Sequence, residues 1–102
     1  MDEVFFALAD PSRRAMLERL VQKSPQSTGE LLQGLGTTRQ GAARHLAVLE
    51  RSGLVVSRRS GREVLRELKP QPLRGSLAWM AQLESAWDAR LSRLATDYAD
   101  SD

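Results

Sequence analysis

The sequence predicts a mostly α-helical fold with one small β-hairpin. Three observations carry that reading. The first half of the chain holds short amphipathic stretches, each bounded by a capping residue, a proline or a glycine. Two strand-compatible runs, residues 54–59 and 62–68, flank Ser60-Gly61. From residue 73 to residue 98 one helical pattern continues for about 26 residues, or about 39 Å. A length of 102 residues allows one domain, spanning 1–102, and 41% hydrophobic with 27% charged residues is globular composition.

Each element has a local cause. Val4, Phe5, Phe6 and Leu8 make an apolar N-terminal stretch of one or two helical turns. Asp10-Pro11 then reads as an N-cap followed by proline at the first helical position, where its missing N–H costs nothing. The helix it opens, residues 11–22, places Met16, Leu17, Leu20 and Val21 inward, and Lys23-Ser24-Pro25 ends it. Ser27 and Glu30 have capping-box spacing and start a helix over 28–35 with Leu31, Leu32 and Leu35 inward. Gly34 and Gly36 close it, Thr37 or Thr38 caps the next helix, and Gly53 stops that one after residue 51 or 52. Ser60-Gly61 is a hairpin turn signal, and Pro70 and Pro72 punctuate the exit into the last helix. The tail, residues 99–102, is expected to fray.

Zero cysteine removes disulfides, thiolate nucleophiles and thiolate-bound zinc together. No apolar run is long enough to span a bilayer and no signal segment opens the chain, so a cytoplasmic protein without a membrane partner is expected. An enzyme is not expected either. There is one histidine and no serine in a nucleophile-elbow context. Gly29 and Gly34 have phosphate-loop spacing, but Leu35-Gly36 follow where Lys-Ser/Thr would be required. No cofactor is implied.

The net charge of +2 is an average over unlike segments. Residues 39–74 carry nine basic and three acidic side chains, +6; residues 1–38 carry −1 and residues 75–102 carry −3. Two helices joined by a glycine-containing turn, then a hairpin, have the order of a winged helix-turn-helix. At 100° per residue, Ala42, His45, Leu46 and Leu49 fall on the core side of the helix that begins at Thr38. Gln40, Ala43, Arg44, Ala47 and Arg51 fall opposite, with Arg39 at the edge. Small residues between long donors allow close approach to a major groove. Arginine can donate to guanine and glutamine can pair with adenine. Thr38, Arg39, Gln40, Ala43, Arg44 and Arg51 are therefore the candidate recognition residues. Arg58, Arg59 and Arg62 surround the hairpin tip, where folding needs no arginine, and are the candidate wing contacts to double-stranded DNA. The alternative is a winged-helix protein-protein interaction module, which would have no need of arginine at both places. His45 is read as a packed, hydrogen-bonded residue, with a phosphate contact as the alternative.

Several of these motifs stand together at characteristic spacing. They are Leu8-Ala9-Asp10-Pro11-Ser12-Arg13-Arg14, Gly29-Glu30-Leu31, Thr38-Arg39-Gln40, Arg44-His45-Leu46-Ala47-Val48-Leu49-Glu50, Gly53-Leu54-Val55 and Arg58-Arg59-Ser60-Gly61-Arg62. In that order the chain resembles the ArsR/SmtB family of bacterial transcriptional repressors over about residues 5–70. The resemblance implies a homodimeric winged-helix repressor of a palindromic operator, released by a signal. Where metal-sensing members carry two thiols this chain has Leu32 and Gly34, and its last helix offers Glu84, Asp88 and Asp97 without a histidine. It is thus similar to the subgroup that lacks the metal-binding cysteines, no metal site is expected, and the effector is unknown. Ala43 stands where the family often has a small hydroxyl residue, and Gly41 costs the helix start about 1 kcal/mol relative to alanine.

The organisation expected is a helix-turn-helix core over 11–53, a wing over 54–69 and a dimerisation helix over 73–98. Leu73, Met80, Trp87 and Leu94 are spaced by seven, as are Leu77, Glu84, Leu91 and Tyr98, which approximates a heptad seam interrupted at Glu84. The expected dimer interface comprises Val4, Phe5, Leu8, Leu77, Met80, Trp87, Leu91 and Leu94. Two-fold symmetry would set two recognition helices one DNA turn apart, about 34 Å. Trp79 and Trp87 are read as packing residues, with a ligand pocket at the dimer junction as the alternative.

Overall fold

The computed structural model describes residues 1–100. Its elements are α1 (Asp2–Leu8), α2 (Pro11–Gln22), β1 (Gln26–Ser27), α3 (Thr28–Leu32), α4 (Arg39–Arg51), β2 (Val55–Ser60), β3 (Glu63–Leu68) and α5 (Gln71–Asp100). This is a winged helix-turn-helix, with α3 and α4 as the helix pair and β2–β3 as the wing.

The local signals act where they stand. The Asp10 carboxylate accepts from the backbone N–H of Arg13 and starts α2 on Pro11. Ser27 and Glu30 form both arms of a capping box at α3, and the Thr38 hydroxyl caps α4 through the N–H of Gly41. A Cβ at Gly41 would stand 3.0 Å from Thr38 Oγ1 and 3.4 Å from Thr37 Cγ2. The propensity cost of this glycine therefore comes with room for the cap.

Four readings need correction. The helix expected over 28–35 ends at Leu32, because Gly34 and Gly36 take positive φ angles of 77° and 68°. The hairpin turn is Gly61-Arg62 rather than Ser60-Gly61, since Ser60 pairs with Glu63. Positive φ at Gly61 alone is the pattern of a II′ turn. Val21 does not face the core but is 72% exposed, because the buried face of α2 runs through Arg13, Met16 and Leu20 and Val21 lies about 100° round the helix from Leu20. Residues 99 and 100 continue α5, whereas 101 and 102 lie outside the described residues.

One further element, β1, carries no signal in the sequence. Its two residues pair antiparallel with β3, Gln26 with Arg66 and Ser27 with Leu65, giving the order β1-β3-β2. The Gln26 side chain also donates to the carbonyls of Arg19 and Lys23, which satisfies the end of α2.

The core joins Val4 and Ala7 of α1, Met16 and Leu20 of α2, Leu31 of α3, Ala42, Leu46 and Leu49 of α4, and Leu54 and Val55. Among the described residues, helix α5 adds Leu73 at its margin and the buried Ser76. Phe5 packs edge-on against Trp79 at 5.7 Å and ties α1 to the root of α5. Beyond that root α5 runs free. Thirty residues make about 45 Å of helix, and the molecule measures 73 × 25 × 22 Å. Its radius of gyration is 19.4 Å, against about 13 Å for a compact chain of this length.

Candidate nucleic-acid interface

The arginines of this chain divide into two groups by what they touch. Arg13 is 8% exposed, and donates through Nε to the Ala7 carbonyl and through Nη2 to the Phe6 carbonyl, both at 2.8 Å. Arg14 donates to the Leu8 carbonyl, Arg19 to the Leu31 carbonyl, and Arg66 to Thr28, Ser57 and Glu50. These side chains hold the fold. Arg39, Arg44, Arg51, Arg58, Arg59 and Arg62 are exposed, and among the described residues none of them has a side-chain hydrogen bond or ion pair. Their guanidinium donors are all available. Among the described residues, Arg74 and Arg93 on α5 likewise have no side-chain hydrogen bond or ion pair.

The same division sharpens the charge. Of the nine basic residues in 39–74, Arg66 pairs with Glu50 and Lys69 with Glu67. Seven basic residues and one acid, Glu63, remain, so the +6 is carried almost wholly by unpaired arginine.

On α4 the expected faces hold. Ala42, Leu46 and Leu49 are buried, and Thr38, Arg39, Gln40, Ala43, Arg44, Ala47 and Arg51 are exposed. Arg39, Gln40, Ala43 and Arg44 cluster in the first two turns. Arg51 stands at the other end, about 18 Å along the axis from Arg39, in a depression it shares with Asp2, Glu3, Phe6 and Val48. In the wing, alternation sends Arg58 and Arg59 to opposite faces of the ribbon, and Arg62 occupies the turn itself.

His45 is half-buried on the core side of α4, where its Nδ1 lies 3.2 Å from Arg13 Nη1 and 3.7 Å from Asp10 Oδ2. It packs against α2 and is not part of the exposed arginine face. The buried roles of Arg13 and Arg66 were missed in the sequence. The one local signal for Arg13 is its place three residues after the Asp10 cap.

The residues expected at a dimer interface are less uniform. Leu77, Met80, Trp87, Leu91 and Leu94 are exposed along one side of α5, joined by Leu83 and Tyr98. Phe5 and Leu8 are half-buried. Val4 is 3% exposed and turned into the core of its own chain, so it offers no surface to a partner. Phe6, at 61%, presents the outer side of α1 instead.

A helix-turn-helix domain family matches residues 8–58. Over 98 residues the chain is 36% identical to the HTH-type transcriptional regulator Rv2034 of Mycobacterium tuberculosis, covering 96% of this chain and 84% of that protein. It is 26% identical over 80 residues to the transcriptional repressor SdpR of Bacillus subtilis, covering 78% of this chain and 88% of that one. Among solved structures, an ArsR-like transcriptional regulator from Rhodococcus sp. RHA1 superposes with a TM-score of 0.86 at 30% identity, over 99% of this chain and 92% of its own. The homodimeric winged helix-turn-helix DNA-binding domain of Mb0332 from Mycobacterium bovis shares the fold, with a TM-score of 0.64 at 24% identity over 88% of this chain and 80% of its own.

Proposed function

The chain belongs to the ArsR-like helix-turn-helix transcriptional regulators, and from that premise we propose that it is a cytoplasmic homodimeric repressor of a palindromic operator. The observation that carries the DNA-facing part is the set of six unpaired, exposed arginines on α4 and the wing. Arg39, Gln40 and Arg44, spaced by Ala43, read base edges from the start of the recognition helix, with Thr38 at the entry. Arg58, Arg59 and Arg62 follow the phosphates from the wing. Arg51 adds long-range attraction from the far end of α4.

The dimer reading rests on α5. A stripe of Leu77, Met80, Leu83, Trp87, Leu91, Leu94 and Tyr98 stands exposed on a helix that projects from the body. A contiguous run of exposed apolar side chains of this kind marks an interaction surface. Residues 77, 80, 84, 87, 91, 94 and 98 follow the alternating three-four spacing of a helix-helix seam. Residues 11–53 then serve as the reading core, 54–69 as the wing and 73–98 as the dimerisation element. Glu84 sits inside that seam and lowers its strength. Bound across the start of a gene, such a dimer blocks transcription by occupying the duplex.

Titration of a labelled operator duplex at several salt concentrations tests the reading. Binding should weaken steeply with salt, and Arg39→Ala should cost about 1 to 3 kcal/mol and relax specificity at one position. Binding that is absent, or indifferent to salt, contradicts it.

A further inference from the structure

The arginine of the wing that does not reach for solvent is Arg66. It lies on β3, the central strand of the sheet, opposite Ser57 of β2 and Gln26 of β1. Its Nε donates to the Thr28 hydroxyl at 3.2 Å, and its Nη1 donates to the Ser57 hydroxyl at 2.7 Å. Nη1 also pairs with Glu50, and the Ser57 hydroxyl donates to that same carboxylate at 2.6 Å. One guanidinium thus joins the first turn of α3, the base of the wing and the last turn of α4. We propose that Arg66 is the positioning residue that sets the angle between wing and recognition helix, so that both meet one duplex.

The geometry makes this join matter. The third strand, β1, supports the ribbon only at residues 65 and 66 of β3. Beyond that level the wing is two strands, which hold little structure by themselves. From Ser57 to Gly61 is four residues, about 13 Å of strand. A rotation of about 15° at the root would carry the tip sideways by about 3 Å, a full hydrogen-bond length. Arg58, Arg59 and Arg62 would then miss the phosphates they are placed to meet. A planar fork can serve Thr28, Ser57 and Glu50 together, whereas an ammonium of equal charge cannot hold that geometry. Arg66 also neutralises Glu50, which otherwise would set a free carboxylate beside the DNA face.

This inference rests on the DNA-binding reading, and its test separates the two. Affinity for the operator duplex is measured against salt for the native protein, Arg66→Lys, Arg62→Ala and the double variant, with thermal unfolding of each as a check on folding. The expected result is a roughly tenfold loss for Arg66→Lys with its charge unchanged. Its salt slope should fall by at least as much as that of Arg62→Ala, because the three tip arginines lose their phosphates together. The double variant should be weaker than Arg62→Ala by clearly less than tenfold, because one of the three tip contacts that Arg66 positions is already gone. If Arg66→Lys does not fold, Ser57→Ala and Thr28→Val, which remove one arm each, replace it with the same expectation. Native-like binding by these variants overturns the inference while leaving the DNA reading intact. So does a fully multiplicative loss in the double variant, which would make Arg66 an independent phosphate contact. Absence of salt-dependent binding by the native protein overturns both.

Discussion

Arg13 Nη1 lies 3.2 Å from His45 Nδ1, and this contact joins α2 to the helix that carries the candidate reading residues. A guanidinium can only donate, so a hydrogen bond at this contact needs Nδ1 as its acceptor. The remaining donors of Arg13 serve the Phe6 and Ala7 carbonyls at the end of α1, and its guanidinium stacks over the Phe6 ring at 5.2 Å. One buried side chain therefore holds α1, α2 and α4 in register. Arg13→Met should destabilise the protein by about 1 to 3 kcal/mol, because it orphans the buried Ala7 carbonyl, whereas the Phe6 carbonyl keeps the Ala9 N–H. Arg13→Lys should recover little of this, since a point charge cannot fork between two carbonyls and a ring nitrogen. Urea unfolding of the two variants checks both statements.

Acid should act on the helix caps. The Arg13 N–H holds the Asp10 carboxyl below its ordinary value, assisted by the charges of His45 and Arg13 and opposed by desolvation. The Lys23 ammonium does the same for Glu30, with help from the N–H and hydroxyl of Ser27. A carboxyl depressed in the folded state contributes stability above its unfolded pKa, about 4, and loses it as pH falls through the folded value. The melting temperature should accordingly be flat from neutral pH to about 5 and decline below about 4. Asp10→Asn, which keeps a capping oxygen without a titrating group, should shallow that decline. An unchanged pH profile in this variant would contradict the assignment.

Gly53 ends α4 with a φ of +82°, and a Cβ built there would meet Pro72 Cγ at 3.2 Å. The left-handed conformation costs an L-residue about 1–2 kcal/mol, and the crowding adds to it. Gly53→Ala should lower stability by at least about 1 kcal/mol, measured as a shift of the urea midpoint at constant slope. Stabilisation would contradict the account.

The α5 stripe should hold the dimer together. Trp87→Asp or Leu91→Asp should yield a folded monomer of 11.3 kDa in sedimentation, against twice that mass for the native chain. Because two half-sites bind together only in a dimer, operator affinity should drop by about a hundredfold or more. A variant that stays dimeric, or a native chain that sediments as a monomer, contradicts this.

Much of the fold could be read from the chain because its punctuation is local. Asp10-Pro11, the Ser27–Glu30 box, Thr38 and Gly53 act through hydrogen bonds and φ angles within a few residues of themselves. What could not be read depends on tertiary placement. Val4 and Phe6 are both apolar residues of a seven-residue helix, and only its docking decides that one is buried and the other exposed. Val21 is apolar like Leu20 beside it, yet it stands on the exposed flank of α2. The two residues of β1 are too few to show a period. The outer face of α4 followed from periodicity, while the difference between a bound arginine such as Arg66 and a free one such as Arg62 is invisible in a charge count.

The central claim is that the arginine face reads DNA as a two-fold pair. Selection of bound duplexes from a random pool tests it most directly. The account predicts an enriched inverted repeat whose half-sites lie one helical turn apart, about 34 Å centre to centre. Failure to enrich any sequence, or enrichment of a lone half-site, would contradict it.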